Sequence, residues 1–457
     1  MLQPPRILGW SSTLEHLVGL ARRAAEPWFV AIPRDERSER IKPMMNSFNE
    51  QLGLPGDVLV VDTDTHLTEP RDLWTSRAPA KYADRVPRVE TVDGRDTWVF
   101  DGVVLGMAGS SSAVDRDGTK MFGMSFMGHG FDDIHAGAWD IAPRVALMDE
   151  LGIWAQIVYP NTFGFGGQKF IEIDDADLRL AAVQIFNDAS AEMQEVSGNR
   201  LFAMAVTPWW DVDAAVTEIR RAAKMGLRGV NSGTGPHLHG LPDLGQPYWD
   251  PMWDVCAELA MPVNFHIGAS SDTMSWFGSS PWPSHNLDHR LAIGSAMMYL
   301  SNGSVMANLI FSGVLERHPN VQFVSVESGV GWIPFFLQSL DYQQIQSTPG
   351  TYGTKFSLTP TEYFQRQMHA CFWFEEAGVA EAIKVLGDTN VMFETDYPHP
   401  TSLYPDSLPA AAATMRSLPE ASRRKVMSDY AFRLYNLPLP DSSPSTTNRA
   451  PMATSAQ

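Results

Sequence analysis

Cysteine is nearly absent: two residues, Cys256 and Cys371, stand far apart in apolar settings. Neither a disulfide framework nor a cysteine-based zinc site can be built from them, which suits a reducing, cytoplasmic setting. Basic residues are few, 34 against 53 acidic ones, for a net charge of −19. Nucleic acid and anionic membrane surfaces recruit basic patches, so neither is expected as a partner. No run approaches the ~18 apolar residues of a membrane span. The N-terminus shows no basic segment followed by an apolar core and a small-residue cleavage site, so no secretory signal is expected. No glycine-rich dinucleotide fingerprint or phosphate loop follows any predicted strand. What is present is 44% hydrophobic residues over 457 positions, ample for a large core.

The chain is organised around Asp62-Thr63-Asp64-Thr65-His66-Leu67-Thr68-Glu69-Pro70. The apolar run Val58–Val61 before it reads as a buried strand. Asp64 and His66 stand two apart, so on an extended strand end both point to one side. A carboxylate and an imidazole converging in this way form half of a divalent-metal site. Alone, the pair could equally cap the following turn. The rest of the chain decides.

Residues 1–56 read as an N-terminal arm, with a helical stretch Ser12–Ala25 and a charged segment Arg34–Arg40. An insertion at about 75–138 carries a hairpin over Val86–Phe100, signalled by Asp93-Gly94 between alternating residues. A Gly, Ser and Met-rich loop with His129, Asp132, Asp133 and His135 follows it. From Trp139 onward helices and strands alternate, with strands at Gln156–Tyr159, Leu201–Val206, Arg228–Val230, Val263–His266, Val321–Glu327, Ala370–Phe374 and Val391–Glu394. With Val58–Val61 these predict eight parallel strands, hence an α/β fold closed as a (β/α)8 barrel over residues 57–437. The tail, 438–457, is low-complexity and is expected to be disordered.

In such a barrel the C-terminal strand ends carry the chemistry. Read in order they offer Asp64, His66 and Glu69, then Tyr159 and Asn161, then Asn231, His266, Glu327, and Asp396 with His399. Metal-ligand types at widely separated strand ends predict a divalent-cation site.

Asp64-Thr-His66-Leu-Thr-Glu69-Pro70, Gly137-Ala-Trp-Asp140 with Arg144, Phe265-His266, Glu327-Ser-Gly-Val-Gly-Trp332 and Glu394-Thr-Asp396-Tyr-Pro-His399 together resemble the amidohydrolase-2 branch of the amidohydrolase superfamily. Phe432-Arg433-Leu434-Tyr435 resembles its closing helix. The resemblance covers about residues 58–437 and implies a metal-dependent hydrolase or carboxy-lyase. It makes Asp64, His66 and His266 ligands, and Asp396 a ligand or base. Two departures stand out: Asp64 replaces the first His of the commoner motif, and Glu327 stands where decarboxylases of the branch place a His.

A carboxylate at Glu327 can bridge two cations, so one or two ions of zinc, manganese or iron are expected, with Glu69, His289 or His399 as further ligands. Asp396, Glu327 and His399 are the expected catalytic groups; Trp332, Asn161 and Arg144 are candidates for a small-molecule substrate. The leading expectation is hydrolysis of a carbonyl or acyl substrate by activated water, with Asp396 as base. Non-oxidative decarboxylation and oxygen activation at a dinuclear iron or manganese site are the alternatives, and a catalytically silent scaffold is a third. Trp253, Trp276 and Trp282 are core or pocket residues, and loop 270–288 is a lid. The helix Leu291–Glu316 is apolar nearly all round, which predicts burial, and the resemblance implies a homodimer or a related partner subunit there.

Overall fold

The computed structural model describes residues 45–440, apart from Ser110, Gly166, Pro349 and the stretch 351–354. The expected helix Ser12–Ala25, the segment Arg34–Arg40 and the tail beyond 440 lie outside the described residues. The strands in chain order are β1 (Val61–Leu67), β2 (Arg88–Val92), β3 (Arg95–Phe100), β4 (Val103–Met107), β5 (Ala155–Pro160), β6 (Leu201–Ala203), β7 (Ala205–Val206), β8 (Val230–Asn231), β9 (Val263–His266), β10 (Phe323–Val326), β11 (Met368–Phe372) and β12 (Val391–Phe393).

Two parallel sheets, ordered β1-β5-β6 and β12-β11-β10-β9-β8-β7, make the barrel wall. β6 and β7 are halves of one strand broken at Met204, whose amide donates to Val158 while the Ala205 amide donates to Gly229. The other seam closes through His66 N–H to the Tyr397 carbonyl at 2.8 Å and Asp396 N–H to the Asp64 carbonyl at 2.9 Å. The result is the expected eight-stranded barrel. Helices including Ile141–Leu151, Ala176–Val196, Val212–Met225, Asp250–Glu258 and Ile333–Ser347 alternate with the strands, as parallel crossovers require. The main core, with Trp249, Trp253, Phe323, Leu309 and Phe364, lies between strands and helices. Trp253 is therefore a core residue, whereas Trp282 is 55% exposed.

The differences from expectation have local causes. β1 begins at Val61 and runs through Asp62–His66, so the motif is part of the strand and not a turn beyond it. Polar residues here face the barrel interior: Asp62 accepts from the Thr395 amide and hydroxyl at 2.9 and 2.7 Å and from Gln156 at 3.0 Å. The inserted ribbon has three strands, because β4 pairs antiparallel with β3 after a second turn at Asp101-Gly102. The long helix spans Leu287–Phe311 and is not buried all round, since Leu287, Met297 and Leu300 are exposed. Gly294 in that helix lets the 270–288 segment cross it: a Cβ there would lie 1.9 Å from the Trp276 carbonyl oxygen.

His369 in β11 is buried, and burial pushes its pKa down from 6.5 to about 3. The folded state therefore keeps it neutral while the unfolded state protonates it below pH 6.5. Its contribution is complete above 6.5 and is lost as pH falls toward 3, at about 1.4 kcal/mol per unit. His369→Gln is expected to unfold at a urea midpoint that declines less between pH 7 and 5 than wild type does. A difference between the two proteins that does not change with pH would exclude this.

Candidate metal centre

The pleat of β1 turns Asp64 and His66 to the same side, with Asp64 Oδ1 3.5 Å from His66 Nε2. β9 ends on His266, and the β9–β10 register sets Val326 beside it. Glu327, one step further, brings Oε2 to 3.3 Å from His266 Nε2. From the β12 end, Asp396 Oδ1 lies 3.8 Å from His66 Nε2 and 2.8 Å from His399 Nδ1. Glu327 and Asp396 both hold left-handed backbone, at φ 55° and 56°. Non-glycine residues seldom adopt it, and it concentrates at functional sites. Asp64, His66 and Asp396 are 0% exposed, and Glu327, His266 and His399 no more than 7%.

The imidazoles are aimed by their far nitrogens. His266 Nδ1 donates to the Ile267 carbonyl at 2.8 Å, and His66 Nδ1 faces the Pro160 carbonyl at 3.4 Å. A carbonyl only accepts, so each Nδ1 carries a proton and each neutral ring has its lone pair on Nε2; the two Nε2 atoms lie 3.1 Å apart. Asp64 is fully buried, yet neither of its oxygens has a hydrogen-bond donor. Its closest neighbours are those nitrogens, with Oδ2 3.5 Å from His266. Buried acceptors converging without donors are what a cation satisfies. The mixed carboxylate–imidazole set fits a divalent ion of the zinc, manganese or iron type.

The electrostatics agree. Burial raises the pKa of Asp64, and burial together with the neighbouring carboxylates raises Glu327 and Glu394 well above the ordinary range. His66 is pushed well down by burial and then by His399 and His266. Burial opposes charging His266 as well, but the adjoining Asp64 carboxylate outweighs it and raises the pKa.

Other expected site residues are occupied elsewhere. Glu69 is buried, and its oxygens accept from the Thr162 and Phe163 amides at 3.2 and 2.9 Å, so it anchors that turn instead of a second ion. Burial pushes its pKa up to about 7. His289 is exposed at the start of helix Leu287–Phe311, beside His285, and joins no metal-competent group among the described residues. Trp332 is half-buried; its indole N–H donates to Ser328 and its ring packs on Phe336. Asn161 reaches the centre through His399, accepting from Nε2 at 2.7 Å.

Arg144 is a fully buried strut, not a substrate clamp. It donates to the Gly137 and His66 carbonyls and to Gln156, and its guanidinium lies over the Tyr397 ring. Arg144→Met would strip donors from three buried acceptors at about 1–3 kcal/mol each. Urea unfolding is expected to show a loss of about 3 kcal/mol or more. An unchanged stability with a raised KM would restore the clamp.

Sequence reasoning missed Glu394 and Thr401. Glu394 is fully buried, accepts from the Glu327 amide at 3.2 Å, and stands two residues before Asp396. That is the same spacing that exposed the Asp64–His66 pair. Thr401 donates to Asp396 and lies 3.2 Å from Glu327 Oε1. No spacing rule reaches it from its loop.

Comparison with known proteins adds a family match: the amidohydrolase family aligns with residues 61–437. Gamma-resorcylate decarboxylase of Rhizobium sp. (strain MTP-10005) is 24% identical over 309 residues, 64% of this chain and 86% of the relative. An amidohydrolase from Mycobacterium avium subsp. paratuberculosis K-10 superposes with a TM-score of 0.62 at 21% identity, over 83% of this chain and 99% of that one. The 5-carboxyvanillate decarboxylase of Novosphingobium aromaticivorans, solved with bound manganese, gives 0.58 at 17% identity over 85% and 98%.

Proposed function

The chain belongs to the amidohydrolase family and is an enzyme, and from that premise we propose that it is a divalent-metal-dependent carboxy-lyase. Its substrate would be a small aromatic acid bearing a hydroxyl beside the carboxylate. The observation that carries this reading is the buried Asp396–His399 pair, 2.8 Å apart and facing the Asp64–His66–His266 donors across one enclosed centre. The activities of the relatives named above support it and displace hydrolysis as the leading reading.

A bound divalent cation supplies Lewis-acid polarisation of the carboxylate and the neighbouring oxygen. Asp64, His66 and His266 would hold and orient it. Asp396 delivers a proton to the ring carbon bearing the carboxylate. The bond from that carbon to the carboxyl carbon then breaks, its electron pair restores the ring, and carbon dioxide leaves. Asn161 fixes the His399 ring, and His399 and Thr401 fix Asp396. Burial of these groups keeps bulk water from competing as proton donor.

The test is to incubate metal-loaded protein with 2,6-dihydroxybenzoate and 5-carboxyvanillate in D2O. Release of carbon dioxide, with deuterium at the vacated carbon, is expected. A protein that releases none from either acid but cleaves esters or amides would sink this reading. It would favour the hydrolytic one, for which Glu327, a carboxylate able to hold a reacting water, is the supporting observation. Oxygen consumption with an iron-loaded sample would favour the oxygenase alternative. A cytoplasmic enzyme that pairs with a second copy or a related subunit through the exposed side of helix Leu287–Phe311 is part of the same proposal. No described helix is long and apolar enough to cross a membrane.

A further inference from the structure

The donor set of the centre leaves a neighbouring cation without a task. Part of the inserted segment folds back on itself as a short hairpin. Val114 bridges Lys120, the Met121 amide donates to the Ala113 carbonyl at 2.6 Å, and Asp115 Oδ1 accepts from the Asp117 and Thr119 amides at 3.0 and 2.8 Å. The hairpin is docked on the loop that carries Asp396, His399 and Thr401, through Ala113 N–H to the Pro398 carbonyl at 2.9 Å. Lys120 donates from Nζ to the Ser402 carbonyl, and the Ser402 amide donates to the His399 carbonyl at 3.2 Å. An ammonium group is thereby held at the residue after Thr401, which itself donates to Asp396.

One carbonyl leaves two of the three N–H groups of Lys120 for other acceptors. Burial lowers its pKa, and the nearby Asp396 carboxylate opposes that shift. Arg144 contrasts with it: that guanidinium is fully buried and gives its N–H groups to Gly137, His66 and Gln156. Lys120 also differs in depth from the metal-competent donors. It is half-buried, whereas Asp64, His66 and His266 are buried. An acid group held by the metal in the interior and an anion held by Lys120 at the rim are therefore two groups, not one. A chain of net charge −19 repels anionic ligands until local cations reverse the field. The metal would do so for the first acid group, and Lys120 is placed to do so for another.

We infer that Lys120 binds a second anionic group of the substrate, set apart on the ring from the carboxylate that the metal would hold. This rests on the proposed function and narrows its substrate class to hydroxylated aromatic acids with a second acidic substituent. Lys120 is a substrate-binding residue and takes no part in proton transfer. The hairpin sets its position before the ligand arrives, so little entropy is lost on binding.

The experiment compares two probes, 2-nitrophenol and 4-hydroxy-3-nitrobenzoate, in which a nitro group stands in for the departing carboxylate. Their affinities for Mn2+-loaded protein are measured by calorimetry at one pH at which both phenols are ionised. Wild type is expected to bind the carboxylated probe about 10–100-fold more tightly, the range of a hydrogen bond to a charged group. Lys120→Gln keeps a donor for the Ser402 carbonyl and removes the charge. It is expected to lose that preference, with its affinity for 2-nitrophenol and its manganese content those of wild type. Lys120→Arg should retain the preference in part. Circular dichroism checks folding, and Lys120→Met serves if the glutamine variant does not fold. Equal binding of the two probes by wild type, or an undiminished preference in Lys120→Gln, would overturn the inference. So would an equal loss of affinity for both probes, which would make Lys120 only a support of the Asp396 loop. Failure of wild type to bind either probe would overturn the proposed substrate class and this inference with it. The other adverse outcomes leave that class standing.

Discussion

Replacing Asp396 by asparagine is expected to lower turnover at least ~100-fold, the scale of general acid–base catalysis. The change is nearly isosteric. Asp396 is 0% exposed, and its oxygens face the Thr401 hydroxyl and His399 Nδ1. An amide oxygen can still accept from Thr401, so the loop geometry should persist. What the amide lacks is the ability to carry a proton to the substrate and to recover one afterwards. The measurement is kcat at saturating metal, with metal content determined on the same sample. A fall of less than ~10-fold with metal retained would remove Asp396 from proton transfer and pass the role to His399.

Asp64→Asn is expected to have opposite effects on the metal-free and metal-loaded protein. Without a cation, Asp64 is a buried carboxylate close to Glu327, Glu394 and Asp396, with the His266 imidazole 3.5 Å away as its main counter-charge. Removing its charge relieves repulsion and desolvation, so the metal-free variant should be at least as stable as metal-free wild type. A ligand binding only the folded state at ~1,000 times its Kd stabilises by about 4 kcal/mol. The wild type should show a gain of that order on adding metal, and the variant should lose both the gain and the activity. Thermal unfolding with and without Mn2+ reads both arms. A variant that is less stable without metal, or that keeps the full metal-induced gain, would show that Asp64 is not a principal ligand.

The barrel was legible in the sequence because alternation of strands and helices is a local signal repeated many times, and β9 was placed to the residue. The Asp64–His66 pair was legible because side-chain direction in a strand has a period of two. Its strand was harder to bound. β1 carries Asp62, Thr63 and Asp64 inside the wall, and polar residues within a barrel strand read as a turn until their partners across the interior are known. Arg144 and Glu69 were misread for the same reason. A buried arginine that satisfies backbone carbonyls and a carboxylate that collects backbone amides look like a clamp and a ligand when only residue type is visible. Glu394 could have been found by applying the period of two to the last strand. Thr401 could not, since its distance to Glu327 and Asp396 depends on how a loop returns.

The seam between the first and last strands also determines when the protein can become active during its synthesis. Asp62 and Thr395 meet across 333 positions of chain, next to the paired backbone of Asp64 and Asp396. Asp64 and His66 leave the ribosome early, and His399, Asp396 and the bonds that close the barrel leave near the end. No nascent chain that ends before β12 can present the complete donor set. The complete donor set therefore exists only once residue 399 has been made, and products terminated before it lack Asp396 and His399. Closing contacts across such a separation costs chain entropy before it returns any stability, which makes this seam a late event in folding.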